Sequence, residues 1–102
     1  MRFKIPAKLH LCGIDHPVRV SPEQAIQYDE RGRANYLTRT ITVDANMSPD
    51  QLRRTFVHEA LHQMDDLMAI GLSERQVKSL ATGIAEFVGQ LEVDDAADEE
   101  RD

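Results

Sequence analysis

A chain of 102 residues, with 41% hydrophobic and 29% charged residues, can build one domain around a modest core, which excludes a wholly disordered protein. It has no apolar run long enough to span a bilayer and only one cysteine, Cys12, so we expect neither a membrane segment nor an internal disulfide bond. The net charge of −6 argues against direct nucleic-acid binding, and the lack of an apolar leader leads us to expect a cytoplasmic protein.

The N-terminal third predicts a β-hairpin and a short helix. Residues 8–11 alternate polar and apolar side chains and predict a strand, residues 12–15 a turn, and residues 18–20 the returning strand. Pro17 predicts that this return strand starts late or lies at an edge of the sheet. Residues 21–28 begin with Ser-Pro-Glu, which is typical of a helix start.

The middle of the chain predicts one weak and one stronger strand. Residues 34–38 are the weak candidate, and residues 39–43 are the stronger one because they alternate and are rich in β-branched side chains. If the stronger strand lies nearest to a functional site, we expect its edge to hold an extended peptide by strand addition.

Two capping boxes predict two helices in the C-terminal half. The first has Ser48 as cap, Pro49 at the first position and Gln51 to complete the box, and Gly71 is a good stop. Its apolar stripe comprises Leu52, Phe56, Val57, Ala60, Leu61, Met64, Leu67 and Met68. The second box, residues 73–76, opens a helix that continues to Leu91, and the short loop predicts that the two helices pack antiparallel.

The acidic charge is concentrated at the C-terminus. Residues 92–102 contain seven acids and one base, whereas the remaining residues contain eleven of each and are neutral overall. We therefore predict one domain over residues 1–91 and an acidic, disordered tail over residues 92–102.

The first of the two helices carries the pattern H-E-x-x-H at residues 58–62. Residues four apart lie on one helix face, so His58 and His62 can bind a single metal ion. Glu59 projects about 100° around the helix axis, from where it can reach a water at the metal. Two neutral histidines, a nearby carboxylate and an open position make a hydrolytic zinc site. The alternative is a solvated helix face that carries these residues by chance.

The sequence leaves the third protein ligand of such a site open. Glu74 opens the second helix, and many metallopeptidases with this motif take a glutamate from the following helix. Asp65 shares the histidine face but lies far along the axis, so we expect it to hydrogen-bond the ring of His62. Glu86 lies deeper in the second helix, at the level that two straight helices favour. We prefer Glu74 and keep Asp65 and Glu86 as alternatives.

Three segments, residues 39–43, 55–65 and 71–81, together resemble small phage- and prophage-encoded zinc metallopeptidase-like proteins. These are minimal relatives of the zincins, such as the ImmA/IrrE metallopeptidases that act on phage repressors. The resemblance covers roughly residues 8–91 and is specific in the helical half.

The resemblance implies that His58 and His62 bind zinc, that Glu59 is the general base, and that Glu74 lies in the family's glutamate-containing helix. Zincins of this sort often carry an acidic or amide residue four positions after that glutamate, where this chain has Lys78. No oxyanion-stabilising residue is evident from the sequence; the candidates are Tyr36, Arg75 and His10.

We therefore predict a single α+β domain, a small antiparallel sheet packed on an antiparallel pair of helices that bear the H-E-x-x-H motif. The predicted reaction is zinc-dependent hydrolysis of a peptide bond in a protein or peptide substrate, in the cytoplasm of a bacterial host. The alternative is a catalytically inactive zincin-like fold that serves as a protein-binding or inhibitor module.

Overall fold

The structure is a computed structural model that describes residues 5–22 and 31–91. Its elements are strands β1 (Lys8–Leu11), β2 (Ile14–Ser21), β3 (Gly32–Ala34) and β4 (Ile41–Asp44), and helices α1 (Pro49–Met68) and α2 (Glu74–Leu91). The α+β class is confirmed. The short helix predicted over residues 21–28 and the acidic tail predicted over residues 92–102 fall, wholly or nearly so, outside the described residues.

The sheet is mixed, which corrects the prediction of an antiparallel sheet. The strand order is β1-β2-β4-β3, and the β1–β2 and β3–β4 pairs are antiparallel. The central pair, β2 and β4, is parallel, with Val18 opposite Ile41. A parallel pair requires a long connection, and 19 residues, 22–40, separate the two strands in the sequence. Alternation along each strand is the same in either direction, so the sequence pattern could not reveal this pairing.

The predicted N-terminal hairpin forms, but its turn is residues 12–13 instead of 12–15, and its return strand is Ile14–Ser21 instead of residues 18–20. Cys12 and Gly13 adopt φ angles of 53° and 77°, a left-handed pair that suits a tight hairpin turn. The expectation for Pro17 is wrong, because β2 begins at Ile14 and lies between β1 and β4. Pro17 is tolerated there because pairing with β4 begins one residue later, at Val18.

The third strand lies earlier in the chain than predicted. Residues 34–38 were expected to be extended, but β3 ends at Ala34 and residues 36–38 form a turn. The side-chain oxygen of Asn35 accepts hydrogen bonds from the backbone N–H groups of Leu37 (2.9 Å) and Thr38 (3.0 Å), which turns the chain back. Strand β4 then has partners on both sides, so the expected peptide-binding edge is not on β4; among the described strands, β1 and β3 are the outer ones.

Both capping boxes form. Ser48 accepts from the Gln51 N–H and donates its own N–H to the Gln51 side chain, at 3.3 Å each. Ser73 and Gln76 make the same reciprocal pair at 3.1 and 2.8 Å. Helix α1 ends earlier than its predicted stop, because Ala69 takes the left-handed conformation with φ 52°. Neither described helix is both long and apolar enough to cross a membrane.

Helix α1 packs on both the sheet and α2. Toward the sheet, Phe56 and Ala60 pack with Ile41 and Val43 in a buried cluster. Toward α2, Leu61 packs with Val77 and Ala81 in a second cluster, which Val57 and Met64 extend. The predicted stripe is therefore wider than one contact face, and its last member, Met68, is 61% exposed. The two contacts hold α1 in one orientation about its axis.

One polar residue of α1, Gln63, is fully buried and ties the helix to the loop before β4. Its amide donates to the backbone oxygens of Asn35 (3.1 Å) and Thr40 (3.4 Å). Its side-chain oxygen accepts from Arg39 Nη1 (3.1 Å), and Arg39 also pairs with Asp66 at 2.8 Å. This anchor could not be predicted from the sequence, because a glutamine beside a helical stripe is usually a surface residue.

We expect Gln63→Leu to lower the free energy of unfolding by about 2–3 kcal/mol, because it removes the hydrogen bonds of a buried side chain to Arg39 and to the carbonyl groups of Asn35 and Thr40. The measurement is urea denaturation followed by circular dichroism. The matched control is Gln90→Leu, since Gln90 is exposed and its amide donates to the backbone oxygen of Glu86 in the same helix. Equal stability of the two variants would show that the Gln63 contacts do not stabilise the fold.

Candidate metal centre

Three side chains from the two helices converge on one point. The potential ligand atoms of His58, His62 and Glu74 all lie within 4.8 Å of one another. The Nε2 atoms of the two histidines are 3.2 Å apart, and the Glu74 oxygens lie 2.8 Å from His58 Nε2 and 3.1 Å from His62 Nε2. Of the candidates named from the sequence, Glu74 is the carboxylate that joins the histidines.

The spacing of these atoms matches the edges of a metal coordination tetrahedron. With metal–ligand bonds of about 2.0–2.1 Å, the ligand atoms of a tetrahedral zinc site are separated by about 3.3 Å. The two Nε2 atoms are 3.2 Å apart, close to that length, whereas the 2.8 and 3.1 Å contacts of the histidines reach different oxygens of Glu74. A small relaxation of side chains therefore suffices to hold a cation.

Hydrogen bonding alone accounts less well for the arrangement. If both Nε2 atoms carried a proton and donated to Glu74, two N–H groups would face each other across 3.2 Å. If only one carried a proton, the lone pair of the other Nε2 would face a carboxylate oxygen within 3.1 Å, and if neither did, two lone pairs and a carboxylate would converge without a positive charge. A bound cation satisfies all three groups at once, because neutral imidazoles and a carboxylate are the ligands that zinc prefers.

The position of Glu74 depends on the loop between the helices. Asp65, in the last turn of α1, accepts hydrogen bonds from the backbone N–H groups of Gly71 (2.8 Å) and Leu72 (3.0 Å) through Oδ1. Its backbone oxygen accepts from the N–H of Ile70 (3.2 Å). Asp65 makes no hydrogen bond to His62 among the described residues, so the expected ring contact is replaced by contacts that shape this loop. It acts on the metal centre by positioning Glu74.

The remaining alternative ligand, Glu86, does not join the cluster. It borders a separate depression beside Arg53 and Arg54, about three turns after Glu74 along α2. The expectation that two straight helices would bring Glu86 level with the histidines does not hold, because the five-residue loop places the first turn of α2 beside them.

Glu59 lies beside the cluster, buried against β3. The residue is 8% exposed and lines an open cleft together with His58. A Cβ atom at Gly32 would lie 3.0 Å from both Cγ and Oε2 of Glu59 and 2.8 Å from Cγ2 of Thr55. Only glycine therefore allows β3 to approach the helix this closely. Sequence reasoning missed Gly32, because it sits in a run of polar residues that reads as a loop.

The surroundings of Tyr36 raise the pKa of its hydroxyl group. Burial raises its pKa above the ordinary value, and the negative charges of Asp66, Glu59, Asp65 and Glu74 raise it further. Tyr36 therefore remains protonated at neutral pH and can donate a hydrogen bond on this side of the molecule.

The other two candidates for stabilising an oxyanion, His10 and Arg75, lie away from the cleft. His10 pairs with Asp15 at 2.8 Å on the exposed hairpin, and His10 and then Lys8 lower the pKa of that carboxyl. Arg75 is exposed and borders a shallow depression with Ser79 on the outer face of α2. Neither residue lines the cleft beside Glu59.

Comparison with known proteins identifies no relative of this chain. No family model, curated protein or solved structure significantly matches the chain. Functional inference therefore depends on the residues and their geometry.

We expect the protein to bind about one zinc ion per chain and Glu74→Gln to lose it, because three protein ligands are the usual minimum for a stable site. The measurement is the metal content after zinc loading and gel filtration. Glu86→Gln is the matched control, since it removes the same charge from the same helix outside the cluster. If Glu86→Gln lost the metal and Glu74→Gln kept it, the ligand assignment would be wrong.

We expect Asp65→Ala to weaken zinc binding about 10- to 100-fold, because the loop that places Glu74 loses its acceptor. Asp65→Asn keeps a side-chain oxygen for the two loop amides and should retain most of the affinity. Competition with a chromogenic zinc chelator measures both constants. Equal losses in the two variants would indicate that Asp65 acts through its charge on the metal instead.

Proposed function

We propose that the protein is a zinc-dependent peptidase that hydrolyses a peptide bond in a protein or peptide substrate. The observation that supports this most strongly is the convergence of His58, His62 and Glu74 beside the buried carboxylate of Glu59. The same residues carry the resemblance to small phage- and prophage-encoded zincin-like proteins. An antiparallel arrangement of the helices fits too, because Glu74 at the start of α2 contacts His62, while Gly89 near its end lies against Arg53.

His58, His62 and Glu74 would hold the zinc, and three ligands of this kind leave one coordination position open for chemistry. Bound zinc supplies a Lewis acid that polarises the scissile carbonyl and makes water more acidic. Glu59 accepts the proton from the attacking water and then delivers it to the leaving amine. Its burial against Gly32 keeps this carboxylate in one place, so that it need not be reordered for each proton transfer.

The outer edge of β3 is our candidate for holding the substrate backbone. Gly32 brings this strand against Glu59, and among the described strands β3 has a partner on only one side. An extended peptide that paired with this edge would pass next to the general base. Tyr36, in the turn that follows β3, is our candidate donor to the oxygen on which negative charge develops, because it stays protonated at neutral pH.

The decisive test is Glu59→Gln. We expect this variant to keep its zinc and to lose hydrolysis of an unstructured protein substrate, such as casein or a peptide mixture, by a factor of about 10² to 10⁴. Zinc content and cleavage rate are measured on the same preparation, with Glu86→Gln as the control that retains both. Activity that survives Glu59→Gln would exclude the proposed mechanism.

Zinc binding without any hydrolysis would favour the other candidate function, a zincin-like module that binds proteins. A structural metal site is closed by protein ligands, whereas a catalytic site keeps an exchangeable position. Cobalt substitution separates the two, because the absorption spectrum of an open site changes when a hydroxamate is added.

A further inference from the structure

The cleft beside the proposed catalytic base carries a concentration of positive charge. It has a volume of about 490 Å³, and its lining includes His58 and Glu59 at the metal centre. Three cationic side chains from three different segments also line it: Arg31, Arg54 and Lys78. Among the described lining residues, Glu59 is the one acid. The cleft therefore has an excess of cations, although residues 1–91 as a whole carry equal numbers of acids and bases.

These cations are poorly neutralised by the protein itself. Within the described residues, neither Arg54 nor Lys78 forms an ion pair, and both are exposed. Arg31 has its nearest carboxylate, Asp44, at 3.9 Å, the outer limit for an ion pair. Arg39, outside the cleft, by contrast sits 2.8 Å from a carboxylate. Cations without a close partner remain available for a ligand.

We propose that this cleft binds acidic side chains of the substrate and gives the enzyme a preference for peptides with aspartate or glutamate near the cleaved bond. The inference rests on the proposed peptidase function and names its substrate class. A carboxylate on a peptide that passes Glu59 would meet guanidinium groups, which form strong charge-assisted hydrogen bonds with carboxylates. It would also be attracted by Lys78, since charges across an open cleft interact over about 8 Å at physiological ionic strength.

Lys78 lies one helical turn after Glu74. The side chain thus places a positive charge on the same helix face as a metal ligand and adjacent to the cleft. An acid at this position would repel acidic substrates; a lysine attracts them.

Binding is tested without catalysis, on the metal-free full-length protein. The probes are two decapeptides that carry an uncharged dye and differ only in three positions, glutamate in one and glutamine in the other. Fluorescence anisotropy measures both dissociation constants. We expect the glutamate peptide to bind about tenfold more tightly at low salt, and this preference to shrink as salt is raised.

The variants Arg54→Gln and Lys78→Gln should each reduce the preference for the glutamate peptide about threefold or more, because each removes one attractive charge. Arg75→Gln is the matched control, since Arg75 is an exposed cation of the same helix outside the cleft. Equal binding of the two peptides would overturn the proposal. Equal effects of Arg75→Gln and Lys78→Gln would also overturn it, because they would indicate diffuse attraction instead of a site.

The outcome is separable from that of the peptidase proposal. Because the binding assay contains no metal and needs no turnover, absent hydrolysis leaves the expected peptide preference in place. Conversely, a zinc-loaded enzyme that cleaves a peptide mixture with no enrichment of aspartate or glutamate around the cut sites would overturn the acidic preference alone.

Discussion

The packing of α1 between the sheet and α2 is the constraint on which the rest of the structure depends. Phe56 and Ala60 pack against the sheet, and Leu61 packs against α2, so two sides of the helix are buried. Rotation of the helix would expose one cluster or the other, at a cost of about 25 cal/mol for each Å² of apolar surface returned to water. The two histidines, one turn apart, are therefore held in one direction.

The centre is completed from outside α1 by short-range contacts. The carboxylate of Asp65 holds the amides of the interhelical loop, and the Ser73–Gln76 capping box starts α2 at a defined residue. These contacts position Glu74, the first residue of that helix, beside the histidines. This matters energetically because a preformed ligand set binds a metal without first ordering its side chains.

Charge is distributed unevenly around this centre. Gly32 brings a strand against Glu59, and the positive side chains of Arg31, Arg54 and Lys78 line the same cleft. The protein therefore combines an acidic C-terminal segment with a locally cationic cleft, while its domain is neutral overall. Under the proposed substrate preference, this separation attracts anionic groups to the cleft although the net charge of the chain is negative.

The sequence alone determined the local features of this protein. Capping residues such as Ser48 and Ser73 determine where the helices begin. The four-residue spacing within the H-E-x-x-H motif places both histidines on one helix face. Both properties depend only on neighbours in the chain. The hairpin at Cys12 and Gly13 followed in the same way. Among three carboxylates, Glu74 was preferred without being established.

Only the tertiary structure decided what depends on partners distant in sequence. The parallel pairing of β2 with β4, the burial of Gln63 and the approach of Gly32 to Glu59 all join segments whose own patterns are compatible with other arrangements. The choice among Glu74, Asp65 and Glu86 was of this kind too. A loop of five residues determined it, because the loop fixes which turn of α2 lies beside the histidines.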